Sequence, residues 1–71
     1  MEMMKLTYDK EADAVYIYLK EISEGEVSQT ISLNESINID LSSERKVLGI
    51  EILNASKNLP LNTIKSAKEI N

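Results

Sequence analysis

Three carboxylates stand at alternate positions in the stretch Asp9-Lys10-Glu11-Ala12-Asp13, the spacing at which a calcium loop begins to gather oxygen ligands onto one ion. The rest of such a loop is missing. Its sixth position turns sharply and is glycine, but here it is Ala14; its twelfth is a bidentate glutamate, but here it is Lys20. Alternating acids are also what a solvated hairpin turn presents, with Asp at the first turn position bonding its own backbone. The run is therefore read as a turn. A wider pool of acids, Asp9, Asp13, Asp40 and Glu51, would gather at one end or face of a sheet. Paired carboxylates hydrolyse glycosidic bonds when they flank a cleft at fixed spacing, and a carboxyl needs a desolvating wall to raise its pKa. So short a chain has little material for a cleft. These four acids define the alternative reading, a carboxylate-based hydrolase or divalent-ion-binding protein.

Other chemistry is limited by composition. There is no histidine and no cysteine, which removes the commonest general base, the usual zinc ligands, thiol mechanisms and the Ser-His arrangement. Gly25 and Gly49 are the only glycines, so neither a GxGxxG nor a GxxxxGK[ST] phosphate loop can be drawn. No catalytic residue, metal ligand or cofactor is assigned. Eight basic against twelve acidic side chains give a net charge of −4, which weakens attraction to phosphate backbones and anionic lipid. A basic protein or a small cation is a better electrostatic match than nucleic acid or a membrane. The N-terminal stretch lacks the apolar segment of about 7–15 residues that marks a signal peptide, and the run Ala14 to Leu19 is far shorter than the roughly 20 residues that span a bilayer. A cytoplasmic location is expected. The two N-x-S/T matches, at Asn34 and Asn54, are accordingly read as chance.

The elements that must carry these residues follow from period. Met4, Leu6, Tyr8; Val15, Ile17, Leu19; Val27, Ile31, Leu33; Ile37, Ile39, Leu41; and Leu48, Ile50, Ile52 follow period two and are rich in isoleucine and valine, the pattern of strands. Short polar connections favour hairpins. A slip of one residue would reverse every side chain, so register can be tested against the pattern. A two-residue turn at Glu44-Arg45 pairs Leu41 with Leu48, Ile39 with Ile50 and Ile37 with Ile52. A three-residue loop, Asn34 to Ser36, pairs Leu33 with Ile37 and Ile31 with Ile39. For the first hairpin, a loop from Asp9 to Ala12 pairs Leu6 with Val15, and a loop one residue longer pairs Leu6 with Tyr16; pattern does not choose between them. Beyond Ile52 the period changes. Asn54 or Ser56 suits an N-cap, Pro60 suits a helix start, and Leu61, Ile64 and Ala67 or Lys68 form an apolar stripe.

The fold class expected is therefore α+β: a single domain over residues 1–71 with an antiparallel meander of about five strands, a short helical turn and a C-terminal helix packed on the sheet. The strands fall at about 3–8, 13–20, 26–33, 37–42 and 47–53, and the helical segments at about 54–59 and 61–70. A chain of 71 residues buries only about 60% of its unfolded surface. Without disulfides, stability must come from packing, a partner or self-association. The second strand is apolar on both sides, as a central strand is, and one of its sides carries Ala14, Tyr16 and Tyr18. Tyrosine suits sheet surfaces and protein interfaces alike. Lys5, Ala14, Tyr16 and Tyr18 are the candidate interaction face, in a homodimer or with a small partner protein. Gly49 is read as a bulge or as the close approach of a helix across its strand.

Two segments in this order, YDKEADAVYIYL (Tyr8 to Leu19) and GIEILNAS (Gly49 to Ser56), with acidic strand sequence including Asp40 between them, resemble the small prokaryotic family called domain of unknown function 2283. The resemblance spans roughly Lys5 to Leu59. It implies a compact domain of strands followed by helix, with no established activity. Members are sometimes encoded beside small toxin-like proteins, which implies an antitoxin-like or companion role. One departure stands out. The family places glycine before GIEIL in the last hairpin turn, and this chain has Arg45. A tight primed turn requires positive φ there; a wider loop from Ser43 to Lys46 is the other solution.

Overall fold

The first hairpin is set by a four-residue connection, Lys10 to Asp13, that places Leu6 opposite Ile17 and Tyr8 opposite Val15. Neither register drawn from the pattern is the one adopted. Both began the loop at Asp9, but Asp9 is still a strand residue, paired with Ala14. Asp13 closes the turn with φ of 54°, a left-handed conformation that aspartate tolerates better than most residues. The consequence is a clean division of faces. Leu6, Tyr8, Val15 and Ile17 point to one side, while Lys5, Thr7, Ala14, Tyr16 and Tyr18 point to the other.

The structure, a computed structural model, describes residues 4–70; the expected first-strand start at residue 3 lies outside them. It is a mixed α+β arrangement. Its elements are β1 (Lys5–Asp9), β2 (Ala14–Tyr18), β3 (Gln29–Ser32), β4 (Ile37–Leu41), β5 (Val47–Leu53), α1 (Ala55–Asn58), α2 (Leu61–Ser66) and β6 (Lys68–Glu69). The strands form one sheet in the order β3-β4-β5-β2-β1-β6. All neighbours are antiparallel except β1 and β6.

This order is not the expected meander. The chain leaves β2, crosses by the end of β5 and β4 near their connecting turn, and returns as the outermost strand β3, so that β2 pairs with β5. Strands β2 to β5 thus make a Greek key. The crossing segment is tied at both ends: Leu19 N–H donates to Leu48 at 2.9 Å and Ser28 N–H to Leu41 at 2.8 Å. In between, Glu26 N–H closes on the Ser23 carbonyl at 3.0 Å around Gly25, whose φ of 82° suits glycine. Lys20 also pairs with Glu26 at 2.6 Å. β2 and β3 are consequently shorter than the 13–20 and 26–33 spans expected. The physical reason is β2 itself: its Val15 face needs a wide apolar neighbour, and β5 supplies Ile50 and Ile52 directly opposite Ile17 and Val15.

β3 and β4 pair Ile31 with Ile39, and the connecting turn is held by Asn34, whose Oδ1 accepts from Ser36 N–H at 2.7 Å and Ile37 N–H at 2.9 Å. β4 and β5 pair Ile37 with Ile52 and Ile39 with Ile50. At their far end the register shifts, with Leu41 opposite Val47. The turn there is neither of the two drawn from sequence. Arg45 N–H donates to the Ser42 carbonyl at 2.8 Å and Ser42 N–H to Lys46 at 2.9 Å, which encloses three residues, with Arg45 in the left-handed region at φ 66°. That is a type I turn followed by a bulge. The extra residue lets Leu41 and Leu48 both stay buried.

Val15, Ile52 and Ala55 form the core, with Leu6, Tyr8, Ile17, Ile37 and Ile50 around them and Leu59 and Ile64 reaching in from the helices. Both helices therefore sit on the Val15 face. The C-terminal helix is shorter than the 61–70 span expected. The Ser66 hydroxyl bonds back to the Thr63 carbonyl at 2.8 Å, a competitor to helical bonding, and Ala67 is extended. Of the expected stripe, Ile64 packs while Leu61 is 63% exposed. The chain after it runs beside β1, where Ile70 N–H donates to Tyr8 at 3.0 Å and satisfies an edge that would otherwise be open.

Arg45 bears the strain that a non-glycine residue meets at positive φ, about 1 kcal/mol. In dilute solution, Arg45→Gly should raise the melting midpoint by about 4 °C, and the β-branched Arg45→Val should lower it. Calorimetry decides; an unchanged or lower midpoint for Arg45→Gly would mean that the site is unstrained.

Candidate functional site: the open face of the sheet

Cross-strand pairing lays the residues of the face opposite the helices into two rows that span five strands, with a shorter row of Asp9, Ala14 and Leu53 beside them. The first is Thr7, Tyr16, Glu51, Asn38 and Ser32; the second is Lys5, Tyr18, Gly49, Asp40 and Thr30. Gly49 is the gap in the second row. The Tyr16 phenol leans diagonally into that gap and donates to Asp40 Oδ2 at 2.5 Å. A Cβ on Gly49 would lie 2.6 Å from ring carbons of Tyr16. So the glycine adjoins the register shift at Leu48, as a bulge glycine does, and it also admits a close approach, of a tyrosine ring rather than of a helix.

The remaining polar groups complete the rows. Thr30 Oγ1 donates to Asp40 Oδ1 at 2.6 Å, Asn38 Nδ2 to Glu51 Oε1 at 3.1 Å, and Ser32 Oγ to Asn38 Oδ1 at 2.6 Å. Tyr18 stands edge-on to Tyr16 with ring centroids 4.6 Å apart, and the Lys5 ammonium lies 4.7 Å from the Tyr18 centroid. Thr7 is buried. Burial, and then the Asp40 carboxylate that accepts its proton, pushes the Tyr16 phenol well above the usual tyrosine range. It is a fixed neutral donor at physiological pH. The result is a surface whose polar groups are mutually satisfied and whose aromatic rings are held in one geometry. Between the rows and the C-terminal Ile70 lies a shallow depression of about 220 Å³.

Lys5, Ala14, Tyr16 and Tyr18 thus share one face, and Asp40 and Glu51 share it with them. Asp9 and Asp13 lie in the hairpin at its end. Asp9 Oδ1 accepts from Glu11 N–H at 3.1 Å and Ala12 N–H at 3.2 Å, bonding its own turn. Asp13 turns instead to α1. Its carbonyl accepts from Ala55 N–H at 2.8 Å, and its carboxylate accepts from Ser56 N–H at 3.1 Å and the Ser56 hydroxyl at 2.7 Å. Tyr8 adds a further donor at 2.8 Å. The cap of α1 therefore comes from a distant hairpin, while Asn54, at the N-cap position, makes no side-chain capping bond. The Ser56 hydroxyl, then Tyr8, hold the Asp13 carboxyl below the usual carboxylate range. Among the described residues, no group of three or more His, Cys, Asp or Glu side chains is placed to hold a metal ion, and no helix is long and apolar enough to cross a membrane.

Asn38, Thr30, Ser32 and Thr7 escaped the sequence reading. Their signal was their parity with Asp40 and Lys5 along the strands, usable only once the strand order is known.

Overpacking predicts that Gly49→Ala destabilises by about 1–3 kcal/mol. In a Tyr16→Ala background the same change should do almost nothing, because the clash has been removed; equal losses in both backgrounds in urea denaturation would refute the contact. The depressed pKa of Asp13 has its own consequence. Its contribution is present above the unfolded carboxyl value, about 3.9, and is lost as pH falls through the folded value. Asp13→Asn tolerates the left-handed backbone and keeps an acceptor oxygen, so it should flatten the acid limb of stability against pH. A limb identical to wild type would assign the acid loss to other carboxylates.

Comparison with curated proteins and with solved structures yields no match. Residues 5–56 match the model of the family described as Protein of unknown function (DUF2283). The match runs from Lys5, beside Tyr18, to Ser56, bonded to Asp13, and so contains both partners of each contact that joins the two sequence motifs. The chain belongs to the DUF2283 family, whose function is unknown.

Proposed function

We infer that the chain is a non-catalytic protein-interaction module, and that the open face around Lys5, Ala14, Tyr16 and Tyr18 receives a small, basic companion protein, as an antitoxin receives its toxin. One observation carries this reading: the helices pack on the Val15 face, leaving the Tyr16 face as a prearranged aromatic and polar surface. Prearranged side chains lose little entropy on binding, and tyrosine is enriched at protein interfaces. Two copies stacked face to face would bring Asp40 and Glu51 near their own counterparts. A basic partner would complement them and the net charge of −4.

Tyr18 and Lys5 are better probes than Tyr16, whose loss would also disturb Gly49 and Asp40. Coexpression with the products of neighbouring genes should yield a complex with the wild-type chain. Tyr18→Ala with Lys5→Glu should abolish that complex while shifting the melting midpoint little. A complex retained by the double variant, or none formed by wild type, would overturn this use of the face.

A further inference from the structure

The two edges of the sheet are treated differently. At one edge the exposed side of β1 is paired with β6, which carries Lys68 and Glu69. Such charges and short strands are what natural sheets use to discourage edge pairing. At the other edge, β3 is exposed along its whole length and lies within an uncharged run from Val27 to Asn34 that contains no proline and no lysine. The free backbone groups of this edge can be identified. Leu33 N–H donates to Ile37 at 2.8 Å, so in the alternation of an antiparallel pair the odd residues of β3 face β4 and the N–H and C=O groups of Thr30 and Ser32 face outward.

Side chains extend the open region. Ile31 and Leu33 lie on the helix side of the sheet, and Leu33 is 65% exposed. The charges at the two ends of β3 are opposite in sign. Arg45 is held at the start of the strand by a 2.7 Å bond to Gln29 Oε1, and Glu35 follows its end in the turn to β4. An antiparallel neighbour related by a two-fold axis would set Arg45 of each copy beside Glu35 of the other. This also gives a reason for arginine at a position where glycine would relieve strain, since backbone strain persists where something else is gained.

We propose that β3 is a self-pairing edge: two copies of the chain join antiparallel through Gln29–Ser32, making one continuous sheet with Arg45 and Glu35 paired at both ends of the seam. The seam is made by the outward backbone of β3 rather than by the Tyr16 and Tyr18 rings, and its failure would leave that reading intact. Light scattering across a concentration series should give the mass of two chains at high concentration and of one on dilution. The Thr30 and Ser32 amides should be protected from hydrogen exchange only in the concentrated sample. Ile31→Lys places a charge at the seam and should leave a folded monomer by circular dichroism. Thr30→Pro removes an outward donor that the monomer does not use and should do the same. Arg45→Gly should weaken association by about threefold to tenfold, as for loss of two exposed ion pairs, while raising the melting midpoint in dilute solution. A single-chain mass at every concentration would overturn the proposal. So would dimers that persist in both edge variants but vanish on Tyr18→Ala, or Thr30 and Ser32 amides that exchange freely in a dimer, as they would if another surface held it together.

Discussion

Everything in this sheet depends on the seam between β2 and β5. It joins two units that are otherwise local in the chain, the β1-β2 hairpin and the β3-β4-β5 meander, and it is fastened on both faces. On the helix side Val15 meets Ile52, and Ala55 closes over them. On the open side Tyr16 crosses Gly49 to reach Asp40. At the end of the seam Asp13 accepts from both Ala55 and Ser56. Packing, a backbone notch and a helix cap thus act on the same pair of segments. Such neighbours act jointly, and their contributions are not separable.

This explains why the two motifs that identify the family occur together. YDKEADAVYIYL supplies Asp13, Val15 and Tyr16; GIEILNAS supplies Gly49, Ile52, Ala55 and Ser56. Each residue in one set touches a residue in the other. The acids that suggest catalysis in the sequence each have structural work: Asp9 shapes its turn, Asp13 caps α1, and Asp40 and Glu51 accept from neutral side chains of neighbouring strands. A motif defined by mutual contacts can mark a fold without marking a reaction.

The strands themselves were legible because alternation fixes faces. The pairings of Ile31 with Ile39, Ile37 with Ile52 and Ile39 with Ile50 followed from matching apolar residues across short turns, and the shared face of Lys5, Ala14, Tyr16 and Tyr18 followed from parity. What was not legible was everything that required knowing which strand lies beside β2. Local pattern made β3 its neighbour, because sequential strands usually pair; only the long-range fit to Ile50 and Ile52 makes it β5. The bulge and close approach at Gly49 were legible, but the identity of the approaching group was hidden for the same reason, as the ring is contributed from β2. The first hairpin failed differently. Its loop acids concealed that Asp9 continues the strand and that Asp13 adopts the left-handed turn. The last turn needed one residue more than the two-residue turn allows, a bulge that apolar matching alone does not register.

The crossing from β2 to β3 has a consequence in time as well as in space. A nascent chain emerges N-terminus first, so the β1-β2 hairpin appears with Val15 and Tyr16 exposed and no partner for either. An isolated two-stranded hairpin is marginal in water. It must wait through two further strands until β5 brings Gly49 and Ile52, and then for Ala55 and Ser56 to close over the seam. Non-local pairing of this kind slows folding. The protein's most defining contact is thus also among its last to form, and until it forms the tyrosine strand is open to whatever else in the cell can pair with it.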